Sequence, residues 1–99
     1  MKTERKDTTL HVSDMHELTA GTAPEIKNQL RKDFTAGLMN IDIDCKDLNF
    51  VDSSGLGTLI SMQKITNERG GKLRLLSPQP GVLQMLELTR LHRVFEIVS

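Results

Sequence analysis

The chain has 99 residues, with thirteen Lys+Arg balanced by thirteen Asp+Glu, so its formal charge is zero. That length holds one small domain, and the balance argues against any general affinity for nucleic acid or anionic membrane. Three Phe are the only aromatics and one Cys the only thiol, which leaves no base-stacking platform, no internal disulfide and no Cys-based metal cluster.

Residues 1–7, Met1-Lys2-Thr3-Glu4-Arg5-Lys6-Asp7, are rich in charge and precede no long apolar run, so they do not read as a signal peptide. They are expected as a flexible N-terminal tail on a single domain spanning 1–99. No apolar stretch approaches the roughly 20 residues of a spanning helix, so no direct membrane insertion is expected. A reducing cytoplasm suits the lone thiol.

Thr8-Thr9-Leu10-His11-Val12 places apolar residues two apart and predicts a first strand. Thr22-Ala23-Pro24-Glu25 is a helix opening, with Thr22 as N-cap, Pro24 in the first turn and Glu25 completing a capping box. Ile26, Leu30, Phe34 and Leu38 then recur every fourth residue and give that helix one apolar stripe. Period two returns at residues 39–45. Ile41, Ile43 and Cys45 share one face there, and Asp42 and Asp44 are expected in solvent on the other.

Asp47-Leu48-Asn49-Phe50-Val51 leads into Asp52-Ser53-Ser54-Gly55, a capping composition that ends extended structure. Leu56, Leu59, Ile60 and Ile65 support a helix over about 54–68, ended by Gly70-Gly71. Residues 72–76 read as a strand. Ser77-Pro78-Gln79-Pro80 opens another helix, whose apolar face holds Val82, Leu83 and Leu86. Residues 91–98 close the chain as a short strand or helix. Strands alternating with helices over short connections predict an α/β domain with parallel neighbours and right-handed crossovers. Burial of Ile26, Leu30, Phe34, Leu59, Ile60, Val82 and Leu86 should hold it together.

Enzyme signatures are missing. There is no phosphate loop ending in Lys-Ser/Thr, no dinucleotide glycine pattern after a strand and no zinc helix. His11, His16 and His92 lack metal-type spacing, and Cys45 in a strand pattern reads as a passive residue. Neither catalytic residues nor a metal or cofactor are expected. The informative segment is the acid, two hydroxyls and two glycines of Asp52-Ser53-Ser54-Gly55-Leu56-Gly57 at a helix start. At the least, one of its polar side chains caps the helix and the glycines admit close strand–helix approach. A serine at such a start also tolerates an added phosphate, because the terminal N–H groups and the helix dipole favour negative charge.

Phe50-Val51-Asp52-Ser53-Ser54-Gly55-Leu56-Gly57 resembles the signature of the STAS domain family, in particular the bacterial anti-sigma factor antagonists. The resemblance runs from about Leu10 to Val98. It takes in the acidic strand at 41–45, Gly70-Gly71-Lys72-Leu73, and the helical segment from Ser77-Pro78 to Leu91. It implies an α/β fold with a central mixed sheet and alternating helices packed mainly on one face. It also implies a phosphoprotein without enzymatic activity, acting by partner switching in signal transduction and transcription regulation. The unphosphorylated form would bind an anti-sigma factor that is itself a GHKL-type serine kinase, freeing a sigma factor. Phosphorylation would end that complex, and a metal-dependent serine phosphatase would restore it. Matched position by position, the phosphoacceptor falls on Ser53, and Asp52, Ser53, Ser54, Gly55 and Leu56 fall in the partner-binding surface. One departure stands out: many phosphorylated members carry an Asp after a Gly-x-Leu segment, where this chain has His16-Glu17-Leu18-Thr19. The alternative implied by the same resemblance is an accessory subunit of a lipid or anion transporter. Such subunits often lack the phosphoacceptor, so the intact Asp52-Ser53-Ser54 favours the switch.

Overall fold

Alternating apolar and polar side chains make strands of the segments around Leu10, Ile43 and Leu73, and four-residue spacing makes helices of the segments between them. The computed structural model describes residues 1–99. The chain runs β1 (Lys2–Lys6), β2 (Thr9–Ser13), β3 (Glu17–Leu18), α1 (Ala23–Asp33), β4 (Asn40–Asp44), β5 (Phe50–Val51), α2 (Ser53–Glu68), β6 (Leu73–Leu76), α3 (Pro80–Leu88) and β7 (Glu96–Val98). A 3-10 turn at Leu91–Arg93 precedes β7, so the closing segment contains both a helical turn and a strand.

One five-stranded sheet has the order β1-β2-β4-β6-β7. β2, β4, β6 and β7 are parallel and follow one another in chain order, each joined to the next through a helix. Crossovers of one hand along such a progression place all three helices on the same face. That face is the apolar one. Leu10, Val12, Ile41, Ile43, Leu73 and Leu75 project into it, all buried, and meet Leu30 and Phe34 of the α1 segment, Leu59 and Met62 of α2, and Val82 and Leu86 of α3. Ile26 and Ile60, expected inside, are half-buried and pack against the rim of this core. Cys45 is buried, and desolvation with Asp44 alongside pushes its thiol up to about 12, which makes it inert.

Three expectations need correction. Residues 2–6 are not a tail: Lys2–Lys6 pairs antiparallel with β2, from Lys2 opposite Ser13 to Lys6 opposite Thr9. Main-chain bonds hold this edge strand without a buried side chain, and its charges suit an exposed edge. Asp42 is not solvated either. Register places Arg74 directly across from it, and the guanidinium donates to both carboxylate oxygens, at 2.8 and 2.6 Å. That bidentate pair is what permits a carboxylate only 6 % exposed on the helix-free face. Asp44 does stay half-exposed, beside Lys46. Lastly, Thr22 is the N-cap residue of α1 but makes no side-chain cap, so no capping box forms with Glu25. Its hydroxyl is already engaged, accepting from the Thr19 amide and donating to the Glu17 carbonyl.

The far end of the helix layer is clamped by Arg69. Its guanidinium donates to the carbonyls of Phe34, Thr35 and Leu38 and lies 4.0 Å over the Phe34 ring. Carbonyls at the end of α1 and in the turn after it are thereby bonded from α2's end, that of Thr35 in addition to the Leu38 amide it already accepts.

Candidate functional site

The site is built where the parallel strands end and α2 begins. β3 and β5 form a two-stranded parallel ribbon, Glu17 opposite Phe50 and Leu18 opposite Val51. Leu18 and Val51 point inward and are buried, which fixes the ribbon to the core. Two residues after Phe50 the backbone is still extended at Asp52, and the helix starts at Ser53.

Asp52 is the cap. One carboxylate oxygen accepts the Gly55 amide at 3.0 Å, and the other accepts the Ala20 amide at 2.9 Å. One side chain therefore caps α2 and ties down the loop that leads into α1. Its own amide bonds the Leu18 carbonyl, completing the connection to β3. The Gly55 and Ala20 amides hold the Asp52 carboxyl below the usual carboxylate range. Because the folded value is the lower one, the stabilisation is fully present above about pH 4 and is lost as the pH falls through the folded pKa. At neutral pH the site thus carries a fixed negative charge beside Ser53.

Gly55 has a structural reason. A Cβ there would lie 1.9 Å from the Leu18 carbonyl oxygen, so only glycine lets the first turn of α2 close onto β3. Ser53 and Ser54 are exposed, and neither hydroxyl is used as a cap, since Asp52 has that role. Both hydroxyls face solvent at a helix N-terminus.

Of the five residues expected to face a partner, the structure exposes Ser53 and Ser54 and leaves Asp52 half-buried. Gly55 lies beneath Leu18, and Leu56 is 9 % exposed within the apolar core. Local periodicity did not reveal the Ala20–Asp52 bond, which spans 32 residues. Thr19 lies in this same loop: its carbonyl accepts the Thr22 and Ala23 amides.

Outside this region little converges. His16 lies on the surface bonded to Asp14 at 3.0 Å, and that contact holds the Asp14 carboxyl below its usual range. An open groove of about 710 Å³ runs between this pair and α1, lined by Glu17, Thr22, Glu25 and Gln29, and includes none of the five residues above. No three His, Cys, Asp or Glu side chains are arranged to hold a metal ion, and no helix is long and apolar enough to cross a membrane.

The STAS domain family model matches residues 1–99. The anti-sigma F factor antagonist of Paenibacillus polymyxa is 33% identical over 58 residues, a match spanning 59% of this chain and 50% of that protein. A Thermotoga maritima protein of known crystal structure superposes with a TM-score of 0.87 at 24% identity, covering 99% of this chain and 85% of that one. The anti-sigma factor antagonist SpoIIAA has been solved in unphosphorylated form, matching with a TM-score of 0.76 at 19% identity over 99% of this chain and 86% of that one. Its phosphorylated form from Bacillus matches at 0.75 and 20%, over 99% and 90%. The predicted mixed sheet with its three helices is the fold these structures share.

Proposed function

The chain belongs to the STAS domain family, and from that premise we propose that it is an anti-sigma factor antagonist switched by phosphorylation of Ser53. Unphosphorylated, it binds in the cytoplasm to an anti-sigma factor of the GHKL serine kinase class, which releases its sigma factor. The kinase then phosphorylates Ser53 and the complex ends. A metal-dependent serine phosphatase returns the protein to the binding form. The chain acts by contact, without chemistry of its own.

The observation that carries this reading is the division of labour between Asp52 and Ser53. Asp52 caps the helix, so the Ser53 hydroxyl is exposed and unused. A phosphate added there costs the fold no existing hydrogen bond. Asp52, Ser53 and Ser54 form the outer surface in this proposal, and Gly55 and Leu56 shape the turn from below. SpoIIAA supports it, having been solved both with and without phosphate.

Incubation with the kinase and ATP, followed by mapping of the phosphopeptide, tests the assignment. Phosphate is expected on Ser53, and Ser54→Ala should remain a full substrate. Phosphate on Ser54 instead, or on neither, contradicts it.

Thr19 offers a second test. It precedes Ala20, whose amide is bonded to Asp52, the residue before Ser53. If the acid of the family pattern assists phosphorylation, Thr19→Asp should raise the initial rate severalfold with little change in partner affinity. An unchanged rate would mean that position 19 plays no part.

A further inference from the structure

Two features beside Ser53 have no explanation within the fold. The first is Gly57. It is the fifth residue of a helix of sixteen, where glycine is the least favourable residue short of proline. Of the other glycines, Gly55 and Gly71 would each place a Cβ 1.9 Å from a carbonyl oxygen, Gly37 and Gly70 have positive φ, and Gly21 lies in the turn before α1, outside any helix. Gly81 sits in open space, but in the first turn of α3 next to Pro80. At Gly57 a Cβ would meet nothing within 4 Å, and its backbone is exposed. Packing does not require the glycine, yet helix stability is given up for it.

The second is Phe50. The other two Phe are buried, at 2 % and 4 % exposure, whereas Phe50 is 62 % exposed on the strand that feeds α2. Helical geometry sets Gly57 one turn from Ser53 on the same face, and Phe50 lies on β5, three residues before Ser53 in the strand that leads into the same helix. An exposed aromatic three residues before the candidate phosphoacceptor and a patch of bare main chain one helical turn after it thus bracket Ser53.

We propose that Phe50 and Gly57 complete the docking surface of the anti-sigma factor, with Phe50 as its apolar anchor and Gly57 as the point where a main-chain segment of the partner closes onto α2. This rests on the reading of Ser53 given above. A glycine kept at a loss of helix stability, in open space, is what close approach by another backbone requires, because a methyl group would hold the two chains apart. Aromatic side chains likewise carry a large share of binding energy at the centre of an interface.

The signature is a pair of effects with opposite sign. Gly57→Ala should raise the melting temperature by about 2–6 °C, through helix propensity and a stiffer unfolded chain, and should weaken binding about tenfold or more. Phe50→Ser should leave the melting temperature nearly unchanged and also weaken binding about tenfold or more. Wild type, these two variants and Ser53→Asp would be titrated calorimetrically against the GHKL-class anti-sigma factors of the same genome, with a thermal melt of each. If Gly57→Ala and Phe50→Ser bind like wild type while Ser53→Asp does not, the docking surface is overturned and the switch stands. Loss of binding by Gly57→Ala with a lowered melting temperature also overturns it, since the glycine would then serve the fold. If all four bind alike, or wild type binds none of these partners, the switch reading falls too.

Discussion

Replacing Gly55 by alanine is expected to be among the most destabilising single substitutions in this protein. The new Cβ would sit 1.9 Å from the Leu18 carbonyl oxygen and 2.8 Å from its carbon, both main-chain atoms that no rotamer change can clear. To make room, α2 must move away from β3. The Leu18 carbonyl accepts the Asp52 amide, and Asp52 caps α2 and holds Ala20, so the displacement spreads through three connections. Overpacking of a tight interior usually costs about 1–3 kcal/mol, and lost caps add about 1 kcal/mol each. We expect a loss of about 3 kcal/mol or more, seen as a fall of roughly 15 °C in melting temperature for a domain of this size. A thermal melt measures it, and a variant as stable as wild type would mean that α2 and β3 are not in close contact.

Substitution at Ser53 is expected to act on binding and leave stability nearly unchanged. A phosphate adds about −1.5 to −2 charges at neutral pH. The N-terminus of α2 favours that charge by roughly 0.3–1 kcal/mol, while the ionised Asp52 one residue away opposes it. The two effects nearly offset in folding. At an interface they do not. A partner packed over Ser53 would have to desolvate an unpaired charge, at several kcal/mol, where about 1.4 kcal/mol is already tenfold. Ser53→Asp should therefore bind the anti-sigma factor about 30- to 100-fold more weakly, with a melting temperature close to wild type. Ser53→Ala should bind as wild type does and resist the kinase, leaving the protein permanently active. Titration calorimetry with a melt of each variant separates these outcomes. Equal binding by both folded variants would reduce Ser53 to an ordinary first residue of a helix.

Much of the fold was legible because burial writes a period into the sequence. Leu10 and Val12, Ile41 and Ile43, and Leu73 and Leu75 announce strands, and Ile26, Leu30 and Phe34 announce α1. β1 carried no such mark. All its side chains but Thr3 are exposed, and what forms it is main-chain pairing with β2. The pairing of Asp42 with Arg74 was equally silent, since register between strands 32 residues apart is a tertiary property. Thr22 looked like a cap from its neighbours, but its hydroxyl was taken by the turn at Thr19.

At the site, the motif revealed the helix start and the acid that caps it, without showing which side chains face out. Leu56 belonged to two expectations, as part of the helix's apolar face and of the partner surface, and packing placed it inward with Leu59 and Met62. Gly57 and Phe50 stand out only once exposure is known. A glycine in a helical pattern and a Phe in a strand pattern look the same whether packing needs them or not.

The central claim is that a phosphate on Ser53 disables a surface without disturbing the fold. Its most direct test is the affinity of one preparation for its anti-sigma factor before phosphorylation, after stoichiometric phosphorylation by the kinase, and again after phosphatase treatment, with the melting temperature taken at each stage. The account predicts tight binding, then a loss of about 30-fold or more, then full recovery, all at nearly constant melting temperature. Undiminished affinity in the phosphorylated protein, or a loss that tracks unfolding, would contradict it.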